Sequence, residues 1–133
     1  NEAKSLGVDE RIKFLGYVQN LGDRIRDVSI FTLSSDFEGM PNALMEAMAL
    51  GVPSISTDCP AGGARYLIED KQNGVLVPVK NVNALVDAMK YVLSDSAIQE
   101  KLGNNARKIC DKLNPTVIYA EWEDFIIEVA SRK

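Results

Sequence analysis

One stretch restricts the fold of this chain more than any other: Asp36 to Asp58, which reads DFEGMPNALMEAMALGVPSISTD. An apolar, strand-like run from Val28 to Ser34 leads into it. A polar turn with Asp36, Glu38 and Gly39 follows; Pro41 then opens a helical segment, Gly51 closes it, and a second strand-like run starts at Pro53. Proline suits the first helical position because its missing N–H would have no partner there. Glycine just past a helix end accepts the left-handed backbone that closes the helix. Strand, loop, helix, turn and strand in this order specify a βαβ unit of a parallel sheet.

The helix in that unit carries the chemical signal. Its first-turn amides, around Asn42 and Ala43, lack partners inside the helix and point back to the carboxyl end of the strand. Together with the helix dipole they make a site for an anion such as phosphate. Open α/β sheets bind ligands at this edge. Glu38 lies in the loop and Glu46 in the second helical turn, with seven residues between them. On spacing alone the pair reads first as a solvated helix face. Carboxylates touching a phosphate would repel it, so a binding role makes them acceptors for hydroxyl groups on either side of it. A ligand with hydroxyls flanking a diphosphate is a nucleotide sugar.

The run Glu38-Gly39-Met40-Pro41-Asn42-Ala43-Leu44-Met45-Glu46-Ala47-Met48-Ala49 resembles the paired-glutamate signature of the retaining glycosyltransferases of family 4, which have the GT-B fold. Gly51–Asp58 is similar to the next strand of that family, and Gly74-Val75-Leu76-Val77-Pro78 to the strand after it. The resemblance covers essentially the whole chain. It implies an α/β fold, a Rossmann-like parallel sheet with flanking helices, forming a truncated C-terminal half of a GT-B glycosyltransferase in one partial nucleotide-sugar-binding domain over residues 1–133.

The same resemblance implies transfer of a sugar from a nucleotide diphosphate donor, UDP-sugar by preference, to a saccharide or lipid-linked acceptor. Glu38 would be the catalytic residue, orienting the donor sugar through its hydroxyls, and Glu46 would hold the ribose. Donor-binding residues would be Glu38, Gly39, Met40, Pro41, Asn42, Ala43, Leu44 and Glu46, and the helix amino end would stabilise the leaving diphosphate. Backbone groups near Gly16, Tyr17 and Val18 would lie on the nucleobase side; ordinary strand-end packing is the other reading of those side chains. The Arg and Lys that family relatives use for the diphosphate find no counterpart here, and the acceptor-binding N-terminal domain is missing. The fragment is therefore expected to bind nucleotide weakly and to be inactive alone, with an uncovered sheet edge that invites association. Two other readings stay open. One is a non-catalytic nucleotide- or phosphate-binding module of the receiver type, for which Asp36 and Asp58 supply acids but no lysine follows a strand in the right place. The other is a GT-B relative such as a sugar-nucleotide epimerase; a phosphorylase would need a pyridoxal-phosphate lysine, and none stands out.

Composition removes several classes. A net charge of −4 argues against a nucleic-acid partner. The chain has no histidine, so no imidazole base comes from these residues, and Ser-His or Cys-His catalysis within them is excluded. Cys59 and Cys110 fit no metal-ligand spacing and read as reduced, buried thiols. No metal or other cofactor is required by the sequence, since helix amides can take the phosphate role. No apolar run reaches membrane-spanning length and no signal peptide opens the chain, which gives a cytoplasmic expectation, with peripheral contact at the inner membrane face for the full-length protein.

Along the rest of the chain, residues 2–6 end a helix near Gly7, and strands are expected near 12–18, 29–34, 54–57 and 75–79. Short helices are expected over Leu21–Asp27 and Ala64–Glu69. Cys59-Pro60-Ala61-Gly62-Gly63 is either a plain turn or a close backbone approach to a ligand, and Arg65 either a phosphate neighbour or a surface residue. Three apolar stripes at helical spacing predict helices near 81–94, 96–113 and 116–131, the first capped by Asn81. Trp122 and Phe125 on the last stripe face either their own domain or a partner domain.

Overall fold

The computed structural model describes residues 2–132. In chain order the helices are α1 (Glu2–Ser5), α2 (Leu21–Ile25), α3 (Asn42–Ala49), α4 (Gly63–Leu67), α5 (Val82–Leu93), α6 (Ser96–Ala106), α7 (Ile109–Lys112) and α8 (Pro115–Ser131). A single 3-10 turn spans Asp9–Arg11. The strands are β1 (Phe31–Leu33), β2 (Ser54–Thr57) and β3 (Val75–Val77). They form a parallel sheet in the order β1-β2-β3, with Leu33, Ser56 and Leu76 in one row and Thr32, Ile55 and Val75 in the next. Strand, helix and strand alternate as the Asp36–Asp58 segment predicts, with flanking helices on both faces.

Alternate residues of a strand point to opposite faces, and the register sorts the core accordingly. One face buries Leu44 and Met48 of α3 with Ala64 and Leu67 of α4, against Phe31, Leu33 and Leu76. The other buries Ala88 and Val92 of α5 and Leu102 of α6 against Ile55, Val75 and Val77. On the first of these faces β2 presents the small residues Ser54 and Ser56; both are fully buried. Each hydroxyl is satisfied locally, Ser54 Oγ donating to Val52 O at 2.9 Å and Ser56 Oγ to Thr57 O at 3.1 Å. That removes the penalty of an unpaired buried donor.

The end of α3 away from the loop is fixed by α6. Gly51 has φ +76, the left-handed conformation that glycine adopts without steric cost. A Cβ there would run into the Arg107 side chain, and one on Gly103 would land on the Gly51 carbonyl oxygen. Arg107 donates from Nε and Nη2 to Leu50 O at 3.3 and 3.2 Å, placing a cation at the negative end of the α3 dipole.

Several expectations need correction. Residues 12–18 are not a strand; they run without regular structure, so the sheet has three strands rather than four. Gly16 at φ +62 breaks the extended path, and the Ile12 amide closes the preceding 3-10 turn onto Asp9 O instead of pairing with a strand. β propensity alone does not make a strand, because the backbone groups need a neighbouring ladder. The helix expected over 96–113 breaks at Arg107–Lys108 into α6 and α7. Pro41 is the residue before the helix, extended at φ −79 and ψ 103, and Asn42 is the first helical residue. Val28, at the start of the apolar run before β1, is exposed. Of the two thiols, Cys59 is buried but Cys110 is exposed.

Candidate functional site

Because the strands are parallel, the loops after β1, β2 and β3 open on one edge of the sheet. That edge carries Glu38 and Asp36 after β1, Asp58 after β2 and Lys80 after β3. The loop from Ser34 to Pro41 brings the chain from β1 into α3. Within α3 the buried positions are Leu44, Ala47 and Met48, which leaves Asn42 and Glu46, one turn apart, on an exposed face.

The amino end of α3 has no side-chain cap. The Pro41 carbonyl accepts from the amides of Leu44 at 3.1 Å and Met45 at 3.2 Å. The amides of Asn42 and Ala43 make no hydrogen bond among the described residues. Two donors at the positive end of a helix dipole are thus open to an external acceptor. The Leu44 side chain is fully buried and its amide is paired with the Pro41 carbonyl.

Glu38 is half-buried and held by Ser35, whose Oγ donates to Glu38 Oε1 at 2.8 Å. Glu46 is exposed, with no partner among the described residues. Gly39 and Met40 are exposed and Pro41 is buried. The loop is supported from behind by α4, where Gly63 is buried against the backbone of Gly39 and Met40. A Cβ on Gly63 would occupy the position of the Gly39 carbonyl oxygen. Gly63 therefore serves a close approach of the loop, while Gly62, at φ +80, has no neighbour within 4 Å of where a Cβ would sit. The sequence signal was the doubled glycine; its contact partner could not be read from it.

Arg65 is not a free cation at this edge. It grips Asp58 with Nε at 3.0 Å from Oδ1 and Nη2 at 2.6 Å from Oδ2. The Asp58 hydrogen bond, and then its charge, hold the guanidinium above its ordinary pKa. Lys80, at φ +57, places Nζ 3.9 Å from Asp36 Oδ2. This corrects the expectation that no lysine follows a strand near the acids. The pair is largely exposed and of small energetic weight.

Two of the residues expected on the nucleobase side line a hollow of their own. Tyr17 and Val18 line a hollow of about 560 Å³ with Leu15, Gln19, Asn20, Asp23 and Arg24, and no residue from 36 to 46 contributes to it. Gly16 is not among its lining residues. A second hollow of about 360 Å³ lies at the edge itself, between Asp58 and Leu76–Val79. A third, of about 690 Å³, lies between α4 and the α6–α7 region. Glu38, the open amides and Glu46 form a rim, not the wall of any of these three. Among the described residues, no cluster of three or more His, Cys, Asp or Glu side chains is arranged to hold a metal ion. Among the described residues no helix is long and apolar enough to cross a membrane.

Comparison with known proteins bears on the family and the fold. Residues 1–109 match the family described as glycosyl transferases group 1. The chain is 34% identical over 128 residues to an α-1,4-N-acetyl-D-galactosaminyltransferase of Campylobacter jejuni that acts on a diphospho-undecaprenol-linked saccharide; the match covers 96% of this chain and 35% of that protein. It is 31% identical over 134 residues to an exopolysaccharide phosphotransferase of Streptomyces coelicolor, covering 100% of this chain and 14% of that one. The chain thus spans about a third or less of the length of these relatives. Among solved structures, the C-terminal domain of a glycosyl transferase group 1 protein from Francisella tularensis superimposes with a TM-score of 0.74 at 28% identity, covering 84% of this chain and 57% of that one. The Anabaena protein HepE in complex with UDP gives a TM-score of 0.86 at 22% identity over 96% of this chain and 35% of its own, a likeness of fold. The fold is that of a GT-B C-terminal half, and the chain belongs to the glycosyl transferases group 1 family.

Proposed function

We propose that this chain is the donor-binding part of a retaining glycosyltransferase of family 4, which moves a sugar from a UDP-sugar to a saccharide or lipid-linked acceptor. The observation that carries the reading is the rim after β1: two unpaired amides, Asn42 and Ala43, flanked by a braced carboxylate, Glu38, and an exposed one, Glu46. The amides donate to the diphosphate oxygens, Glu38 accepts from the sugar hydroxyls, and Glu46 from the ribose. Charge builds on the leaving diphosphate as the glycosidic bond breaks, and preorganised donors at a helix amino end stabilise it without reorganising. The acceptor attacks the face from which the diphosphate leaves, which accounts for retention. The printed names of relatives support the acceptor class, since the Campylobacter protein acts on an undecaprenol-linked saccharide. HepE has been crystallised with UDP-glucose, which supports the donor class. The other wall of the cleft, the acceptor site and the cationic diphosphate contacts belong to the rest of the full-length protein, and these residues alone do not turn over. No metal is needed for the steps assigned here, and the action is cytoplasmic, with contact at the inner membrane face.

The test uses the full-length protein with UDP titrated calorimetrically and UDP-sugar consumption followed alongside. Glu46→Ala weakens UDP binding about tenfold or more, the range of a lost hydrogen bond to a charged group. Glu38→Ala leaves UDP affinity within about twofold and reduces sugar transfer at least a hundredfold. Unchanged UDP affinity in Glu46→Ala removes the ribose role. Equal losses of UDP and UDP-sugar binding in Glu38→Ala remove the sugar role.

The pairing of Asp36 with Lys80 favours one second reading, a phosphate-accepting module. Labelling of Asp36 by acetyl phosphate in the isolated chain would support it.

A further inference from the structure

We infer that Ser35 is a positioning residue for Glu38, and that it transmits the rigidity of the central strand to the sugar-facing carboxylate. The inference rests on the donor-binding reading above and adds a residue that the reading does not use. Ser35 is clamped from β2 through its carbonyl, which accepts from Thr57 Oγ1 at 2.5 Å and from Cys59 Sγ at 3.2 Å. Thr57 and Cys59 are both almost wholly buried, at 4% and 1% exposure, so the clamp does not shift with the loop. On its other side Ser35 donates Oγ–H to Glu38 Oε1 at 2.8 Å. A single residue therefore links the middle of the sheet to one oxygen of the carboxylate.

The chemistry gives this link a purpose. A free glutamate samples several rotamers, and fixing it costs side-chain entropy that the ligand would otherwise have to supply. An ionised carboxylate only accepts hydrogen bonds. Ser35 occupies Oε1, while Oε2 makes no hydrogen bond with the described residues and is left for the ligand. Hydroxyls of a sugar are donors of the kind Oε2 can take. Catalytic geometry is sensitive to displacements of about 1 Å, so a loosened Glu38 loses rate before it loses nucleotide affinity.

The alternative is that Ser35 merely staples the turn Ser35–Glu38, and a double-mutant cycle in the full-length protein separates the two. The readouts are UDP affinity by calorimetry, hydrolysis of UDP-glucose and UDP-N-acetylglucosamine, and the Glu38 rotamer in a crystal structure of Ser35→Ala. The expected result is a ten- to fiftyfold fall in hydrolysis for Ser35→Ala, with UDP affinity within twofold and Glu38 spread over more than one rotamer. Ser35→Thr, which keeps the hydroxyl, recovers hydrolysis to within about threefold of the parent. In a Glu38→Ala background Ser35→Ala has no further effect. Thr57→Val, which removes one clamp and serves if Ser35→Ala fails to fold, gives a smaller fall that also vanishes in that background. Equal losses in both backgrounds, a parallel loss of UDP affinity, or a Glu38 rotamer that stays single overturn the inference. A crippled Glu38→Ala beside a harmless Ser35→Ala refutes the positioning role alone. A Glu38→Ala protein as active as the parent refutes the proposed function instead.

Discussion

Helices α3 and α8 both carry apolar residues at helical spacing, yet they end in opposite environments. Leu44 and Met48 of α3 are fully buried between the sheet and its neighbouring helices. None of the 17 residues of α8 is buried, and Trp122 and Phe125 are 59% and 54% exposed. The two rings meet edge to face with centroids 5.9 Å apart, so they pack on each other rather than on the sheet. Capping does not decide burial: α3 has no side-chain cap and is buried, whereas α8 is capped by Asn114 through its Oδ1, with Pro115 in its first turn, and is not. Local signals start and stop a helix, whereas burial depends on whether another element reaches its apolar face. The stretch from Ile12 to Val18 repeats the lesson, with Phe14 86% and Tyr17 90% exposed.

Substitutions can break or sharpen that contrast. The largest effect is expected from Leu44→Ala, which empties a site with no room to relax and lowers unfolding free energy in urea by about 3 kcal/mol. Gly63→Ala follows, at about 2 kcal/mol, because the added methyl meets backbone and not a side chain that can swing away. In the full-length protein the same change moves the loop that holds Glu38 and weakens donor binding. Trp122→Ser should be nearly silent in this chain, within about 0.5 kcal/mol. A clearly larger loss for Trp122→Ser would mean that α8 is buried in solution and the contrast false. A larger loss only in the full-length protein would identify α8 as an interdomain surface, the partner-facing reading of Trp122 and Phe125.

Much of the path from sequence to site was legible because it depended on local chemistry. Pro41 and Gly51 bracket α3, the β-branched run before Asp36 forms β1, and Ser54–Thr57 is β2 where the pattern put it. Glu38 lies in the loop before α3, and Asn42, Ala43 and Glu46 lie in its first turns. The rest depended on contacts distant in sequence. Nothing in Leu44's position in the motif separates a ligand contact from a core residue until its burial is known. Gly63 reads as a turn glycine until Gly39 is found against it, 24 positions away. Lys80 and Asp36 lie on different loops and meet only because parallel strands end at the same edge.

The sequence by itself determined the βαβ order, the family and the presence of two open amides between two carboxylates. These follow from backbone stereochemistry at proline and glycine, from helix-end geometry and from a composite motif, all of which act within a few residues. Only the tertiary structure decided that Ile12–Val18 is not a strand, that α8 is uncovered and that Glu38 is held through Ser35 from Thr57 and Cys59. Those outcomes depend on which surfaces meet and which backbone groups find a ladder. Contacts of that kind are properties of the whole packed arrangement, which no short window of sequence contains.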